Sequence, residues 1–269
     1  MLYHAKNGTL TIGSSRMDYI RFGSGAKTLI LLPGLGDGLR SLKGTALPMA
    51  LLYRKFTKEY TAYAFSRRDP IPEGYGTRDM AKDQKYAMDL LNIRQADLVG
   101  VSMGGMIAQH LAADYPEKVR KLVLVVTSAR SNPLQTQSIR HWMEIAQQGD
   151  YTALMDDNLK LIYSPNYYQK NRWLVPVMGK LTKPKSYERF LIQAQACLSH
   201  NSLESLERIQ APTFVIGGEQ DQVLGFEPSL ELAEWIPNAT LKRYSQWGHS
   251  LYEEEKGFNQ TVLDFLREE

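Results

Sequence analysis

Four short, mainly apolar runs limit most strongly what this chain can become: Thr28-Leu29-Ile30-Leu31-Leu32, Ala96 to Val99, Val119 to Val126 and Thr213 to Ile216. Each reads as a strand buried on both faces of a sheet. Weaker strand patterns occur at Leu10 to Ile12, Met17 to Phe22, Tyr60 to Phe65 and Thr240 to Tyr244. Helical spacing separates several of them. From Arg78 to Leu91, the residues Met80, Ala81, Tyr86, Ala87, Leu90 and Leu91 share one face. Helices are also expected around Leu47 to Leu52, from Met106 to Ala113, from Ser229 to Trp235 and from about Glu253 to the end. Strands alternating with helices predict an α/β class, with a mostly parallel central sheet flanked by helices.

The alternation breaks at Arg130. From there to Ile209 the chain is more polar, rich in aromatics and helical in pattern. Three helices are expected, around Trp142 to Ala146, Tyr151 to Ile162 and Phe190 to Leu198. The organisation predicted is a core of residues 1–129 and 210–269 with a helical insertion at 130–209.

Composition closes off several alternatives. A 269-residue chain that is 43% hydrophobic can bury a sizeable core. Net charge is only +3 and is spread along the chain, which points away from nucleic acid. Cys197 is the single cysteine, so no intramolecular disulfide can form. No apolar stretch is long enough to span a bilayer, and the first residues do not read as a signal peptide. A cytoplasmic protein without a membrane or nucleic-acid partner is expected, as monomer or homodimer. No metal or cofactor motif stands out.

Groups that act on ligands in such sheets gather beyond the carboxyl ends of the strands. Four polar features fall there. Pro33-Gly34-Leu35-Gly36-Asp37-Gly38 follows the first buried strand, and its glycines let backbone N–H groups turn inward. It is not a phosphate loop, because no Gly-Lys-Ser/Thr follows. Gly100-Val101-Ser102-Met103-Gly104 lies where a strand turns into a helix, the setting of a nucleophile elbow. There the serine hydroxyl is exposed, and Met103 at the helix start has a free N–H. Gly217-Gly218-Glu219-Gln220-Asp221 and Gln246-Trp247-Gly248-His249 leave the last two strands. The order is serine, acid, histidine. Glu219 rivals Asp221 as the acid. The other histidines fit less well, since His4 precedes the first strand, His110 lies within a helix, and His141 and His200 lie in the insertion.

Taken together, Leu31-Leu32-Pro33-Gly34, Gly100-Val101-Ser102-Met103-Gly104-Gly105, Ile209-Gln210-Ala211-Pro212-Thr213, Gly217-Gly218-Glu219-Gln220-Asp221 and Trp247-Gly248-His249 resemble the α/β-hydrolase superfamily, specifically its small capped, esterase-like members. The resemblance spans nearly the whole chain. It implies that Ser102 is the nucleophile, that His249 is its base, that Asp221 orients the histidine, and that the N–H groups of Met103 and Leu35 form the oxyanion hole. It implies that residues 130–209 form a cap, with Trp142, Tyr163 and Trp173 foremost among the aromatics facing the substrate and Tyr167, Tyr168 and Phe190 as further candidates. It also implies a small-molecule acyl substrate and no cofactor. Ester, thioester or lactone hydrolysis is the leading expectation. C–C hydrolysis, acyl transfer, cofactor-free oxygenase or lyase chemistry, and non-catalytic ligand binding remain alternatives. The chain departs from many relatives in having Pro33-Gly34 where they carry His-Gly. A serine at position 102 also argues against the haloalkane dehalogenases and epoxide hydrolases, which use aspartate there.

Overall fold

A computed structural model describes residues 2–268. Its eight strands form one sheet: β1 (Lys6–Ile12), β2 (Ser15–Phe22), β3 (Lys27–Leu32), β4 (Tyr60–Phe65), β5 (Ala96–Val101), β6 (Val119–Val125), β7 (Thr213–Gly218) and β8 (Ala239–Tyr244). The spatial order is β1-β2-β4-β3-β5-β6-β7-β8. β1 pairs antiparallel with β2, and β2 antiparallel with β4; the remaining pairs are parallel. The helices are α1 (Ala46–Leu52), α2 (Thr77–Leu90), α3 (Met103–Asp114), α4 (Pro133–Gln147), α5 (Tyr151–Ile162), α6 (Pro165–Asn171), α7 (Val175–Leu181), α8 (Glu188–Leu198), α9 (Glu227–Trp235), α10 (Leu251–Glu254) and α11 (Phe258–Arg267).

The continuous apolar runs are explained by the two faces of the sheet. Ile30, Leu32, Leu98, Leu122 and Leu124 lie in one cluster with Met80 of α2 and Met106 and Ile107 of α3. Their neighbours Leu29, Leu31, Val99, Val123 and Val125 lie in a second cluster, with Ala50 of α1 and Val262 and Leu266 of α11. The apolar residues of both faces are therefore buried along most of each strand, at about 1.5–3 kcal/mol for each large aliphatic side chain.

Two expectations change. The helix predicted from about Glu253 is two helices. α10 ends at Glu254, and Glu255 turns the chain by accepting Gly257 N–H at 2.8 Å before α11 begins. The insertion holds five helices rather than three. α6 and α7 went unread because both are seven residues long, carry a proline in the first turn and bury few residues, so no apolar periodicity develops. The segments that precede α4 and follow α8 lie side by side. Arg130 bridges Asn201, and Ser202 N–H donates to Ala129 O at 2.8 Å. Among the described residues no helix is long and apolar enough to cross a membrane.

Candidate active site

Ser102 sits between β5 and α3 with φ 52° and ψ −122°. A non-glycine residue reaches this region only when its surroundings hold it there. Four contacts do so. Ser102 N–H donates to Val125 O at 2.9 Å, and Ser102 O accepts from Gly105 N at 2.8 Å, Met106 N at 3.3 Å and Thr127 Oγ1 at 2.7 Å. The flanking glycines are forced by close approach. A Cβ at Gly100 would stand 2.7 Å from Gly104 O, and one at Gly104 only 1.9 Å from Leu32 O. Gly105 has the same reason, since its Cβ would lie 2.6 Å from Thr127.

His249 and Asp221 arrive from the loops after β8 and β7. His249 Nδ1 lies 2.7 Å from Asp221 Oδ2. The other carboxylate oxygen accepts the N–H groups of Val223 at 2.8 Å and Leu224 at 3.0 Å, which fixes the carboxylate plane. Both side chains are almost fully buried. Glu219, the rival acid, turns outward to Arg243, with Arg243 Nη2 at 2.7 Å. Asp221 is thus the acid at the histidine. The loop carrying His249 presses on β7, where a Cβ at Gly218 would meet Trp247 O at 2.3 Å.

Ser102 and His249 border the same cavity, of about 340 Å3. Among the described residues no hydrogen bond joins the two side chains; such contacts commonly tighten only when substrate is bound. Leu35 also borders the cavity, at the start of the turn Leu35–Gly38. The N–H groups of Leu35 and Met103 have no acceptor among the described residues, as the first donors of helical segments usually do not. Two free donors beside a serine are suited to a developing oxyanion. Met103 itself has its side chain in the core.

Of the aromatic residues expected to line the site, Trp142, Tyr163 and Phe190 do. Trp142 is fixed by its indole N–H donating to Asp157 Oδ2 at 2.7 Å, and Tyr163 by its hydroxyl donating to Glu253 Oε2 at 2.7 Å. Trp173 does not: it stands 69% exposed in the turn Arg172–Leu174. Tyr167 stacks on Tyr163 at 4.3 Å, and Tyr168 bonds Asp156, so neither lines the cavity. A tryptophan in an amphipathic sequence carries no mark of which wall it faces.

The structure adds residues that the motifs did not reveal. Arg40, Asn158, Ile162 and Tyr252 line the cavity. Asp37 anchors the loop that follows β3. Its Oδ2 accepts from Arg67 N at 2.9 Å and from Arg189 Nη2 at 3.1 Å, and Arg67 Nη2 donates to Pro33 O at 2.6 Å. Burial pushes the Arg67 guanidinium below its ordinary value, and Asp37 opposes that shift. Arg189 belongs to α8, so this carboxylate also ties the insertion to the loop. An Asp37 inside a Gly-x-Gly pattern gives no sequence sign of partners 30 and 152 positions away. Among the described residues there is no group of acidic, histidine and cysteine side chains able to hold a metal ion.

Residues 27–256 match the model of the alpha/beta hydrolase fold family. The chain is 31% identical over 252 residues to a 2-hydroxymuconate semialdehyde hydrolase of a Pseudomonas species, covering 89% of this chain and 87% of that one. It is 29% identical over 277 residues to a 2-hydroxy-6-oxononadienedioate/2-hydroxy-6-oxononatrienedioate hydrolase of Paraburkholderia phymatum, covering 93% and 91%. An alpha/beta hydrolase enzyme from a Medee basin deep-sea metagenome library superposes with a TM-score of 0.84 over 97% of this chain and 98% of its own, at 24% identity. The overall match, the sheet order and the elbow agree, and the chain belongs to the alpha/beta hydrolase family of enzymes.

Proposed function

We propose that the protein hydrolyses a carbon–carbon bond beside a ketone or aldehyde carbonyl, in a 2-hydroxy-6-oxodienoate or a close analogue. The observation that carries this reading is the identity of the relatives. The named substrates of both curated relatives are hydroxylated oxo-acids with no ester, amide or anhydride bond. Water can cut such a skeleton only at a C–C bond. This favours the C–C alternative over the ester hydrolysis that the motifs alone put first.

In this reading Ser102 Oγ adds to the carbonyl carbon while His249 Nε2 takes its proton and Asp221 stabilises the imidazolium. The N–H groups of Met103 and Leu35 hold the oxyanion. The bond breaks in the 2-oxo tautomer of the substrate, in which the carbon beside the attacked carbonyl is saturated: as the tetrahedral centre collapses, the C–C electron pair is delocalised through the enone onto the 2-oxo oxygen as a dienolate. His249 returns its proton to that dienolate. Water, deprotonated by His249, then releases the acyl group from Ser102 as a carboxylic acid. The balance is one ketone and one water giving one acid and one protonated carbon fragment. Arg40 supports the same class. It lines the cavity, and no acidic side chain pairs with it among the described residues, so its guanidinium is free for a substrate carboxylate.

The test is a side-by-side assay of a 6-phenyl-2-hydroxy-6-oxodienoate and simple p-nitrophenyl esters, with H2(18)O and product mass. Consumption of the dienoate, with one heavy oxygen in the released benzoate, is expected. An intact dienoate alongside rapid ester turnover returns the chain to ester hydrolysis.

A further inference from the structure

At the opposite end of the sheet from Ser102 the molecule has a cavity of about 850 Å3. Its floor is the sheet itself: Arg21 of β2, Thr28 of β3, and Thr61 and Tyr63 of β4. The connection from α2 to β5 borders it, as do Glu117 and Lys118 just before β6. β3, β4 and β5 are parallel and begin at this end, whereas Ser102 follows the end of β5. A six-residue strand separates the two sites by on the order of 20 Å. No residue of the Ser102 cavity lines this one.

The strand sequences explain the gap. On the face that packs against α2 and α3, β3 reads Thr28, Ile30, Leu32, and β4 reads Thr61, Tyr63, Phe65. Ile30, Leu32 and Phe65 are in the core there, while Thr28, Thr61 and Tyr63 stay partly exposed. Residues two apart share a face, so each strand turns from polar to apolar along its length. Arg21 pairs with Tyr63 across the β2–β4 ladder and lies on the same face. α2 ends at Leu90, and the cavity opens beyond it.

The lining is electropositive. Arg21, Arg94 and Lys118 face a single acid, Glu117. Lys118 is paired with Asp89. Arg21 Nε is buried without a hydrogen-bond partner among the described residues. Leaving a buried guanidinium N–H unbonded is costly, so the position favours an acceptor from outside the chain. Arg94 is exposed, and no acid pairs with it among the described residues. Tyr63 adds a flat surface. Its ring is held by Tyr19 at 6.4 Å and by Phe65, stacked at 6.1 Å, and the Arg21 guanidinium lies 6.0 Å from its centroid. A donor for an oxyanion and a face for an aromatic ring thus lie side by side.

We propose that this cavity binds a small aromatic anion, with its carboxylate or phosphate on Arg21 and Arg94 and its ring against Tyr63. The site is separate from the Ser102 cavity and independent of the reaction assigned there.

The test is a titration of the full chain, carrying isotope-labelled arginine and followed by NMR at the Arg21 Nε–H signal. That signal is assigned by its loss in Arg21→Gln. The probes are benzoate and phenyl phosphate, each against its ringless counterpart, acetate or inorganic phosphate, at one pH and ionic strength. At least one aromatic probe should saturate below about 10 mM, with its counterpart about tenfold weaker or more. The probe that saturates identifies the head group. Arg21→Gln, read at the Arg94 signal, should weaken binding about tenfold or more. Arg40→Gln removes the free guanidinium of the Ser102 cavity and should leave the titration unchanged. Failure of both aromatic probes to saturate, equal affinity for the ringless anions, unaltered binding in Arg21→Gln or loss of the shift in Arg40→Gln overturns the site. If Arg21→Gln does not fold, the signal is assigned with Arg21→Lys, and the wild-type and Arg40→Gln titrations decide.

Discussion

The strand ends beneath the cavity and the helical insertion above it are built on different principles. Below, each group placed in the chemistry is held by backbone geometry. Ser102 is pinned by Val125, Gly105, Met106 and Thr127, and Asp221 by the N–H groups of Val223 and Leu224. Above, the insertion contributes walls: Trp142, Asn158, Ile162, Tyr163 and Phe190. Its outer side leaves Trp173, Val177 and Leu181 exposed. A few polar ties join the two regions. Arg189 reaches Asp37, Tyr163 reaches Glu253, Ser164 N–H donates to Glu254 at 3.0 Å, and Ser250 N–H donates to Ile162 O at 3.0 Å. The last lies next to His249. The difference teaches that the groups at the strand ends are fixed by backbone hydrogen bonds, whereas the insertion shapes the cavity above them.

The sharpest way to break this contrast is at the strand ends. Ser102→Ala should lower kcat about a millionfold, as for a nucleophile acting as a unit with its base. Asp221→Asn should cost about 10⁴-fold through a misplaced imidazole tautomer. Glu219→Gln should stay within about twofold, because that carboxylate meets only Arg243 on the surface. Single-turnover kinetics on the three variants measures this. Equal losses for Asp221→Asn and Glu219→Gln contradict the assignment of the acid.

What the sequence made legible follows the same boundary. Continuous apolar runs specify strands because both faces of the sheet are covered, and Tyr60–Phe65 was read without error. The elbow was legible because close packing at Gly100 and Gly104 admits no side chain. The pairing of His249 with Asp221 was legible only through the resemblance, since Glu219 stood as a rival acid two residues away. The insertion was only partly legible. Its short helices α6 and α7 bury little, and Trp173 and Trp142 look alike in sequence although one is 69% and the other 4% exposed. Asp37 was hidden for a different reason. Its function depends on Arg67 and Arg189, and long-range ion pairs leave no periodic trace.

Asp37 is where the two regions are joined most deeply, and its removal should be the next largest effect. Asp37→Ala leaves Arg67 buried and Arg189 largely so, without their shared carboxylate. Removing one partner of a buried charge group costs about 3–5 kcal/mol. Urea denaturation should show that loss. Because the same carboxylate fixes the loop bearing Leu35, kcat should fall as well, and a KM effect alone would separate the loop from the oxyanion site.

A second joint is sensitive to acid. His110 of α3 and His200, just after α8, stack edge to face at 5.2 Å, and His200 Nδ1 lies 2.8 Å from Thr77 Oγ1. Burial lowers His110 to about 4 and His200 to about 3, and the charge of His110 adds to the effect at His200. Both are neutral in the folded protein at pH 6, while in the unfolded chain they begin to take protons below about 6.5. The unfolded state then binds more protons, so stability is complete above about pH 6.5 and declines as pH falls toward 4. The slope is at most about 1.4 kcal/mol per pH unit for each histidine. Denaturation midpoints at pH 7.5 and 5 measure it, and His200→Gln should flatten the dependence. An unchanged slope in that variant would take the acid sensitivity away from this joint.

The smallest effect is expected at the outer side of the insertion, where the sequence reading placed a substrate contact. Trp173 follows α6 in a single helical turn, is mostly in water and borders no wall of the Ser102 cavity. Removing an exposed ring takes little apolar surface out of contact with protein, so Trp173→Ala should change stability by no more than about 0.5 kcal/mol. Its kcat and KM should match wild type within about twofold. Trp142 makes the contrast instructive. It is buried, lines the cavity and is hydrogen-bonded to Asp157, so the two tryptophans separate the insertion into a face that borders the cavity and a face that does not. A raised KM in Trp173→Ala would mean that the turn at 172–174 folds inward when substrate is present, and the insertion would then be more than a wall.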